Sequence, residues 1–419
     1  MVNLTTQADF SAAVEQVRQA SYELVAAGAD TQSKLLEAVA TELEACLDDI
    51  LEANTLDLEA SLDMAVPERV LDWLKLTPER LQTAAKILRR LAYVGDPRGL
   101  LHPAPSRLSM AVVGHGQVVP LGVVALVYEA FPELAAIMAG LSLRTGNGLI
   151  LKGSNEASQT NQVILQALHH ALERVGLPQH CILSLTEEQG DMARTWLLQD
   201  PGVDLIIPYG RPGLVQQVVR QAGVPVLPTA MGNCYLYWSA SGQLETVTAM
   251  VIDSHRGEPD AVNAIEKVLV HRGCNLSAVV QLCHTLWDQD FTLLADKALL
   301  PELPDVKPAA AADWGRPFLG KTVALGLVDN LQAAITLINH HSSGHANAIA
   351  TESYAESSRF TQMATSAVVY VNTSPRFVRN PAQAGMIALG MTAQRGRCSG
   401  FVGLSALLTT QHILQGLEQ

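Results

Sequence analysis

Two short stretches place a cation beside glycines where an apolar run gives way to a helix. ILKGSNEA, residues 150–157, ends a candidate strand on Lys152 and Gly153 and sets Ser154 to cap the helix that follows. Strand ends and helix N-termini offer unpaired N–H groups, so a nucleotide phosphate or ribose would be received there; an ordinary capped turn would look the same. IIPYGRPGLVQQVV, residues 206–219, repeats the arrangement, with Gly210 and Gly213 flanking Arg211. Glycines at such a point admit a ligand to the backbone or a helix to the sheet, and Arg211 would suit a phosphate. The full GxGxxG spacing is absent. Polar clusters at 342–351 and 372–380 adjoin apolar strands, which gives His345 and Arg376 a place in a substrate pocket or in ordinary loops. His340 and His341 read as a helix end, because no Cys or Glu ligand stands at metal spacing from them.

These residues must be held by regular elements. The first hundred residues carry apolar positions at helical spacing, Leu36, Val39, Leu43, Leu47 and Ile50 among them, and Thr77 with Pro78 opens a helix that runs through Leu91. From Ser109 the texture changes to short apolar runs, at 122–129, 148–153, 181–185 and 204–210, each followed by a helical stretch. Alternation of this kind implies a parallel sheet covered on both faces. A second α/β lobe starts near Cys234, with strands expected at 234–238, 264–271, 322–328 and 367–372, and the segment from Pro301 to Pro317 reads as an irregular crossing.

At 419 residues, 48% hydrophobic and 16% charged, the chain suffices for two such domains. A net charge of −13 argues against nucleic acid as a partner. No apolar run reaches membrane length and Met1–Phe10 lacks the pattern of a signal peptide, so a soluble, cytoplasmic protein is expected. Cys46, Cys181, Cys234, Cys274, Cys283 and Cys398 show neither CxxC nor Cys/His spacing and read as reduced thiols, most of them in the core.

In order and spacing these segments resemble the γ-glutamyl phosphate reductase family of the aldehyde dehydrogenase superfamily. The resemblance is carried by KLLEAVATELEACLDDILEANTLDLEAS (34–61), VVPLGVVALVYEAFP (118–132), RTGNGLILKGSNEA (144–157), VDLIIPYGRPGLVQQVV (203–219), PDAVNAIEKVLVH (259–271), SSGHANAI (342–349) and YVNTSPRF (370–377). It implies an α/β, aldehyde dehydrogenase-like fold with two Rossmann-like parallel-sheet domains and an oligomerisation flap. The NADP-binding domain would take 1–107 and 122–233, the catalytic-type domain 234–365, and the flap with the C-terminal segment 108–121 and 366–419. It also implies NADPH-dependent reduction of γ-glutamyl phosphate to glutamate 5-semialdehyde in proline biosynthesis through a cysteine thioester, with Lys152, Ser154, Glu156, Gly210 and Gly213 as cofactor-binding residues.

The chemistry of the pattern is broken. The family's catalytic loop RPxVCNAxE aligns with EPDAVNAIE, which puts Val262 in the cysteine's place and Glu258 in that of an arginine. YExRPNV aligns with YEAFPEL, so Phe131 replaces an arginine and Glu133 the asparagine that would donate to the oxyanion. GAEIGIST aligns with MIALGMTA and puts Ala388 where a glutamate would hold the cofactor's nicotinamide ribose. Ser399 replaces a further arginine, and Ala346 and Asn347 replace a Thr-Asp pair. Three readings compete. A non-catalytic paralogue would keep the scaffold and bind a small molecule or a protein partner, with Phe131, Tyr209, Tyr235 and Trp238 making the old cleft more apolar or repacking the core. An active reductase would need a displaced thiol, for which Cys234 is the candidate; different chemistry on the same nucleotide platform is a third course. In each case a homo-oligomer, dimer or tetramer, is the expectation from the flap.

Overall fold

The computed structural model describes residues 5–98, 106–109, 112–185, 190–257, 260–394 and 400–416. The chain divides into two compact units, Met1–Thr229 with Arg379–Leu389 and Phe401–Gln419, and Ala230–Val378 with Gly390–Gly400.

The first unit opens with helices α1 (Gln7–Ala26), α2 (Gly28–Ala45), α3 (Leu47–Asp63), α4 (Glu68–Leu74) and α5 (Pro78–Ala92). Thr6 and Asp9 form a capping box on α1, and Thr77 caps α5 by accepting from the Arg80 N–H, with Pro78 in the first turn. The apolar spacing from Leu36 to Ile50 is shared by two helices, because the chain turns at Cys46 (φ −93°, ψ 16°) between α2 and α3. Leu36, Val39, Leu43 and Ile50 are buried all the same, because the turn keeps both apolar stripes inward.

After β1 (Ser106–Ser109) and β2 (Val112–Pro120) comes a parallel set: β3 (Val123–Tyr128), α6 (Glu133–Thr145), β4 (Gly148–Lys152), α7 (Ser158–Arg174), β5 (Ile182–Ser184), α8 (Gly190–Gln199), β6 (Leu205–Tyr209) and α9 (Pro212–Gln221). The sheet order is β5-β4-β3-β6. Every residue of β3, β4 and β6 is buried, as strands covered on both faces require. Since β3 comes first in the chain but lies inside the sheet, the connections diverge to either side of it. A crevice opens at the carboxyl ends of the strands at such a switch point.

The second unit holds β7 (Cys234–Trp238), α10 (Leu244–Ser254), β8 (Ile265–His271), α11 (Leu276–Trp287), β9 (Thr292–Ala295), β10 (Lys307–Pro308), β11 (Thr322–Val328), α12 (Leu331–His341), β12 (Ala346–Ala350), α13 (Tyr354–Met363) and β13 (Val368–Val371). Its seven strands run parallel in the order β10-β9-β11-β8-β7-β12-β13. Side chains alternate between two cores: Leu236, Trp238, Val268 and Val270 enter one, Tyr235, Tyr237 and Leu269 the other. Tyr235 and Trp238 are therefore core residues on opposite faces of the sheet. The crossing expected at 301–317 contains the short β10 and two 3₁₀ turns.

The parallel pairing of Ala346–Ile349 with Val368–Val371 makes residues 366–378 part of this second unit, where the sequence reading groups 366–419 with the flap. Three late strands follow, β14 (Ala388–Thr392), β15 (Gly400–Gly403) and β16 (Leu408–Gly416). β16 runs antiparallel to β2 from Leu408↔Pro120 to Gly416↔Val112, and β1 lies on the other side of β2.

Candidate functional site

The crevice of the first unit is a cavity of about 780 Å³ lined by residues from the ends of β3, β4, α8 and α9, among them Glu129, Lys152, Ser154, Glu156, Arg194, Arg211 and Gly213. Lys152 ends β4 with its Nζ 3.1 Å from the Gly153 carbonyl. Gly153 is a packing glycine, since a Cβ there would stand 2.3 Å from Asn161 Nδ2. Ser154 precedes the next helical turn but does not cap it; its Oγ accepts from the Ala130 N–H at 3.1 Å. That bond fixes the loop leaving β3, where Ala130 (φ 54°) and Phe131 (φ 46°) both take the left-handed conformation.

Arg211 lines the cavity but has one edge of its guanidinium on Glu129. Glu129 accepts from its backbone N–H at 3.0 Å and from its Nε at 2.9 Å, and Nη2 bonds the same carboxylate. Gly210 (φ 148°) closes against this pair, where a Cβ would meet that of Glu129 at 2.8 Å. It serves packing and does not line the cavity. Gly213 has nothing within 4 Å of a Cβ, and no side chain caps the N-terminus of α9. Arg194 carries no motif in GDMARTW, and sequence reasoning passes over it. Its Nε and Nη2 are buried and have no hydrogen-bond partner. A buried donor left without an acceptor costs about 1–3 kcal/mol.

The residues fit the phosphate and ribose portion of a nicotinamide nucleotide: a cavity at the switch point lined by Lys152 and Arg211, an uncapped helix start at Gly213, and the Glu156 carboxylate to accept from hydroxyls. Ala388 is fully buried in β14, and its methyl group has no hydrogen bond to give a ribose.

The position expected to stabilise an oxyanion is sealed by an ion pair. Glu133 begins α6, and both of its oxygens accept from Arg80 Nη2, at 2.7 and 2.6 Å, with the two side chains 5% and 8% exposed. Its carboxylate is thus neutralised within the core and is no bare charge in a cleft. Phe131 stacks on Trp73 (centroids 4.9 Å apart) and meets Tyr209 edge-on at 5.6 Å. Arg379 Nη2 donates to the Tyr209 hydroxyl at 2.5 Å. These aromatics build a packed corner of the first unit.

In the second unit Val262 is buried, and its carbonyl accepts from the Gly232 N–H at 2.9 Å and from His345 Nε2 at 3.0 Å. Asn263 Nδ2 donates to the Pro375 carbonyl at 2.8 Å. Cys234 is fully buried with Sγ 3.3 Å from His345 Nε2, and burial, then the charge of Glu266, pushes its thiol well above the ordinary range. Burial lowers His345 to about 4, against the hydrogen bond to Val262. A carbonyl only accepts, so Nε2 carries the proton and faces Cys234 as a donor. The histidine cannot take a proton from that thiol through this nitrogen. Asn347 is structural too, accepting from the Tyr235 N–H at 2.9 Å and donating to Ser342 and Ser366. Ala346, beside it, is buried at the start of β12. Arg376 is half-exposed with Nη1 3.5 Å from Asp253. His340 and His341 end α12, and among the described residues no group of three or more His, Cys, Asp or Glu is placed to hold a metal. Glu258, Cys398 and Ser399 lie outside the described residues.

Comparison with known proteins decides the family. Residues 1–235 match the aldehyde dehydrogenase family. The chain is 44% identical over 390 residues to gamma-glutamyl phosphate reductase 2 of Synechocystis sp., covering 93% of each protein. The chain belongs to the γ-glutamyl phosphate reductase family. It is also 36% identical over 408 residues to gamma-glutamyl phosphate reductase of Gloeobacter violaceus, covering 97% of this chain and 96% of that protein. The crystal structure of gamma-glutamyl phosphate reductase from Thermotoga maritima, 28% identical, aligns with a TM-score of 0.89 over 98% of this chain and 99% of that one. A probable aldehyde dehydrogenase from Listeria monocytogenes shares the fold at 15% identity, with a TM-score of 0.72. On this family scaffold the first unit gathers Lys152, Ser154, Glu156, Arg211 and Gly213 around one cavity, adds Arg194, and turns Gly210 to packing.

Proposed function

We propose that this protein keeps the nucleotide-binding half of its family's machinery and has lost the thioester half. The observation that supports the reading is Val262, a buried valine where the resemblance implies the family's nucleophile, with the nearby thiol of Cys234 held protonated. A valine forms no thioester, and a fully buried thiol facing a donor nitrogen is no substitute. Lys152, Glu156 and Gly213 would hold NADP, which supplies a hydride when bound; the chain's own residues bind and orient it. The protein then acts by binding a nucleotide together with a small-molecule or protein partner in the cytoplasm. The antiparallel β1-β2-β16 sheet supports a homo-oligomer, because among the described residues no strand of the sheet lies on the outer edge of β16.

The test follows NADPH formation from NADP and glutamate 5-semialdehyde in phosphate buffer, with the purified protein beside Val262→Cys, and measures NADP binding by calorimetry. NADP binding without turnover by the unmodified chain is the expected result. Turnover by the unmodified chain overturns the reading and returns attention to Cys234.

A further inference from the structure

Arg211 and Glu156 line the same cavity, one able to take a phosphate and the other a hydroxyl. A guanidinium has two edges that donate in parallel, and Arg211 commits only one of them, Nε with Nη2, to Glu129. Among the described residues its Nη1 meets no acceptor, and the side chain is 44% exposed. Glu129 also accepts from the Arg211 backbone N–H, so the carboxylate fixes the guanidinium from one side and leaves the other edge uncommitted. Hydrogen bonding to Glu129 raises the Arg211 pKa, and the nearby charge of Glu156 adds to the rise. Arg194 lines the cavity too, but its Nε and Nη2 are covered by protein. In the crevice of a doubly wound sheet a carboxylate accepts from a ribose hydroxyl, and an arginine near it accommodates a phosphate on the 2′ oxygen. The diphosphate is left to the uncapped start of α9, where Gly213 reaches the cavity.

We infer that Arg211 selects NADP over NAD, its uncommitted edge binding the 2′-phosphate while Glu156 accepts from the neighbouring ribose hydroxyl. The inference rests on the nucleotide-binding reading above and adds to it the residue that sets the choice of nucleotide.

The experiment is calorimetric titration of the full chain with NADP and with NAD at one fixed ionic strength, beside Arg211→Gln and Arg211→Lys. Circular dichroism and thermal midpoints establish that each variant is folded. The unmodified chain is expected to prefer NADP. Arg211→Gln should weaken NADP by about tenfold or more, equivalent to about 1.4 kcal/mol, and leave NAD unchanged. Arg211→Lys, which keeps the charge but not the fork, should fall between, and it decides the matter if the glutamine variant does not fold. Three results overturn the inference while the nucleotide-binding reading stands: equal affinity of the unmodified chain for both nucleotides or a preference for NAD, unchanged NADP affinity in a folded variant, and equal losses for NADP and NAD. The last of these would move the contact to the diphosphate. Failure of the unmodified chain to bind either nucleotide overturns the reading itself.

Discussion

His345 presents one ring nitrogen, Nε2, to two neighbours, the Val262 carbonyl at 3.0 Å and the Cys234 sulfur at 3.3 Å, while its buried Nδ1 has no partner. The imidazole has a neutral form suited to this place and a charged form that the site does not solvate. Its lowered pKa of about 4 follows, against an ordinary value near 6.5. As pH falls below about 6.5 the unfolded chain takes up a proton that the folded protein resists until about pH 4, so stability is full above this window and lost through it. The loss is on the order of 3 kcal/mol from this residue, and His255, lowered by its own burial, adds a loss of the same sign. Urea unfolding at pH 7.5 and 4.5 should show a smaller pH effect in His345→Gln than in the unmodified chain. An equal effect in both would mean that His345 is hydrated and charges in the folded state.

Cys234 should be chemically silent in the folded protein. Its sulfur is fully buried and its thiol is raised by burial and by Glu266, whereas Cys46 sits only partly covered at the turn between α2 and α3. Brief treatment with iodoacetamide at pH 8 is expected to label Cys46 ahead of Cys234, with Cys234 modified only in denaturant, as read by peptide mass spectrometry. Rapid labelling of Cys234 in the folded chain would restore it as a candidate nucleophile.

The Arg80–Glu133 pair is a stability element and its two ends are not equivalent. Removing the cation in Arg80→Ala strands a buried carboxylate and should cost about 3–5 kcal/mol in urea unfolding. Glu133→Asn introduces the asparagine that the family resemblance implies there and leaves Arg80 bonded to the carbonyls of Trp73 and Lys75. That substitution should cost clearly less. Equal losses would show that the pair contributes through the carboxylate's other surroundings.

The strands were legible where burial on both faces forces continuous apolar runs, as in VVALVY and LIIPY, and the switch-point crevice follows from their order. Side-chain partners were less so, because they join residues distant in sequence. Nothing local says that Glu129 will take Arg211, 82 positions away, or that Arg80 will take Glu133 across 53. Ser154 has the right type and place for a cap, yet a strained loop from another strand claims its oxygen. Tyr235 and Trp238 look like cleft aromatics until the two-residue period of β7 sends them into opposite cores. Arg194 sits in a helix without any motif, and only the cavity beside it gives the residue meaning.

The two glycines that flank Arg211 separate packing from ligand access, and alanine at each should show it. At Gly210 a side chain would face φ 148° and a contact of 2.8 Å with Glu129 Cβ, where the backbone cannot yield without breaking the Glu129–Arg211 bonds. Gly210→Ala should therefore lose on the order of 1–3 kcal/mol of stability. Gly213 lies in the first turn of α9 over open space, so Gly213→Ala should leave the thermal midpoint unchanged or raise it slightly, since alanine is the better helix former. The added methyl group stands where the cavity reaches the α9 amides, and calorimetry should show weaker NADP binding with stability intact. If Gly213→Ala binds as the unmodified chain does, the helix start takes no part in holding the nucleotide, and the contacts must come from other residues that line the cavity, Lys152 and Glu156 among them.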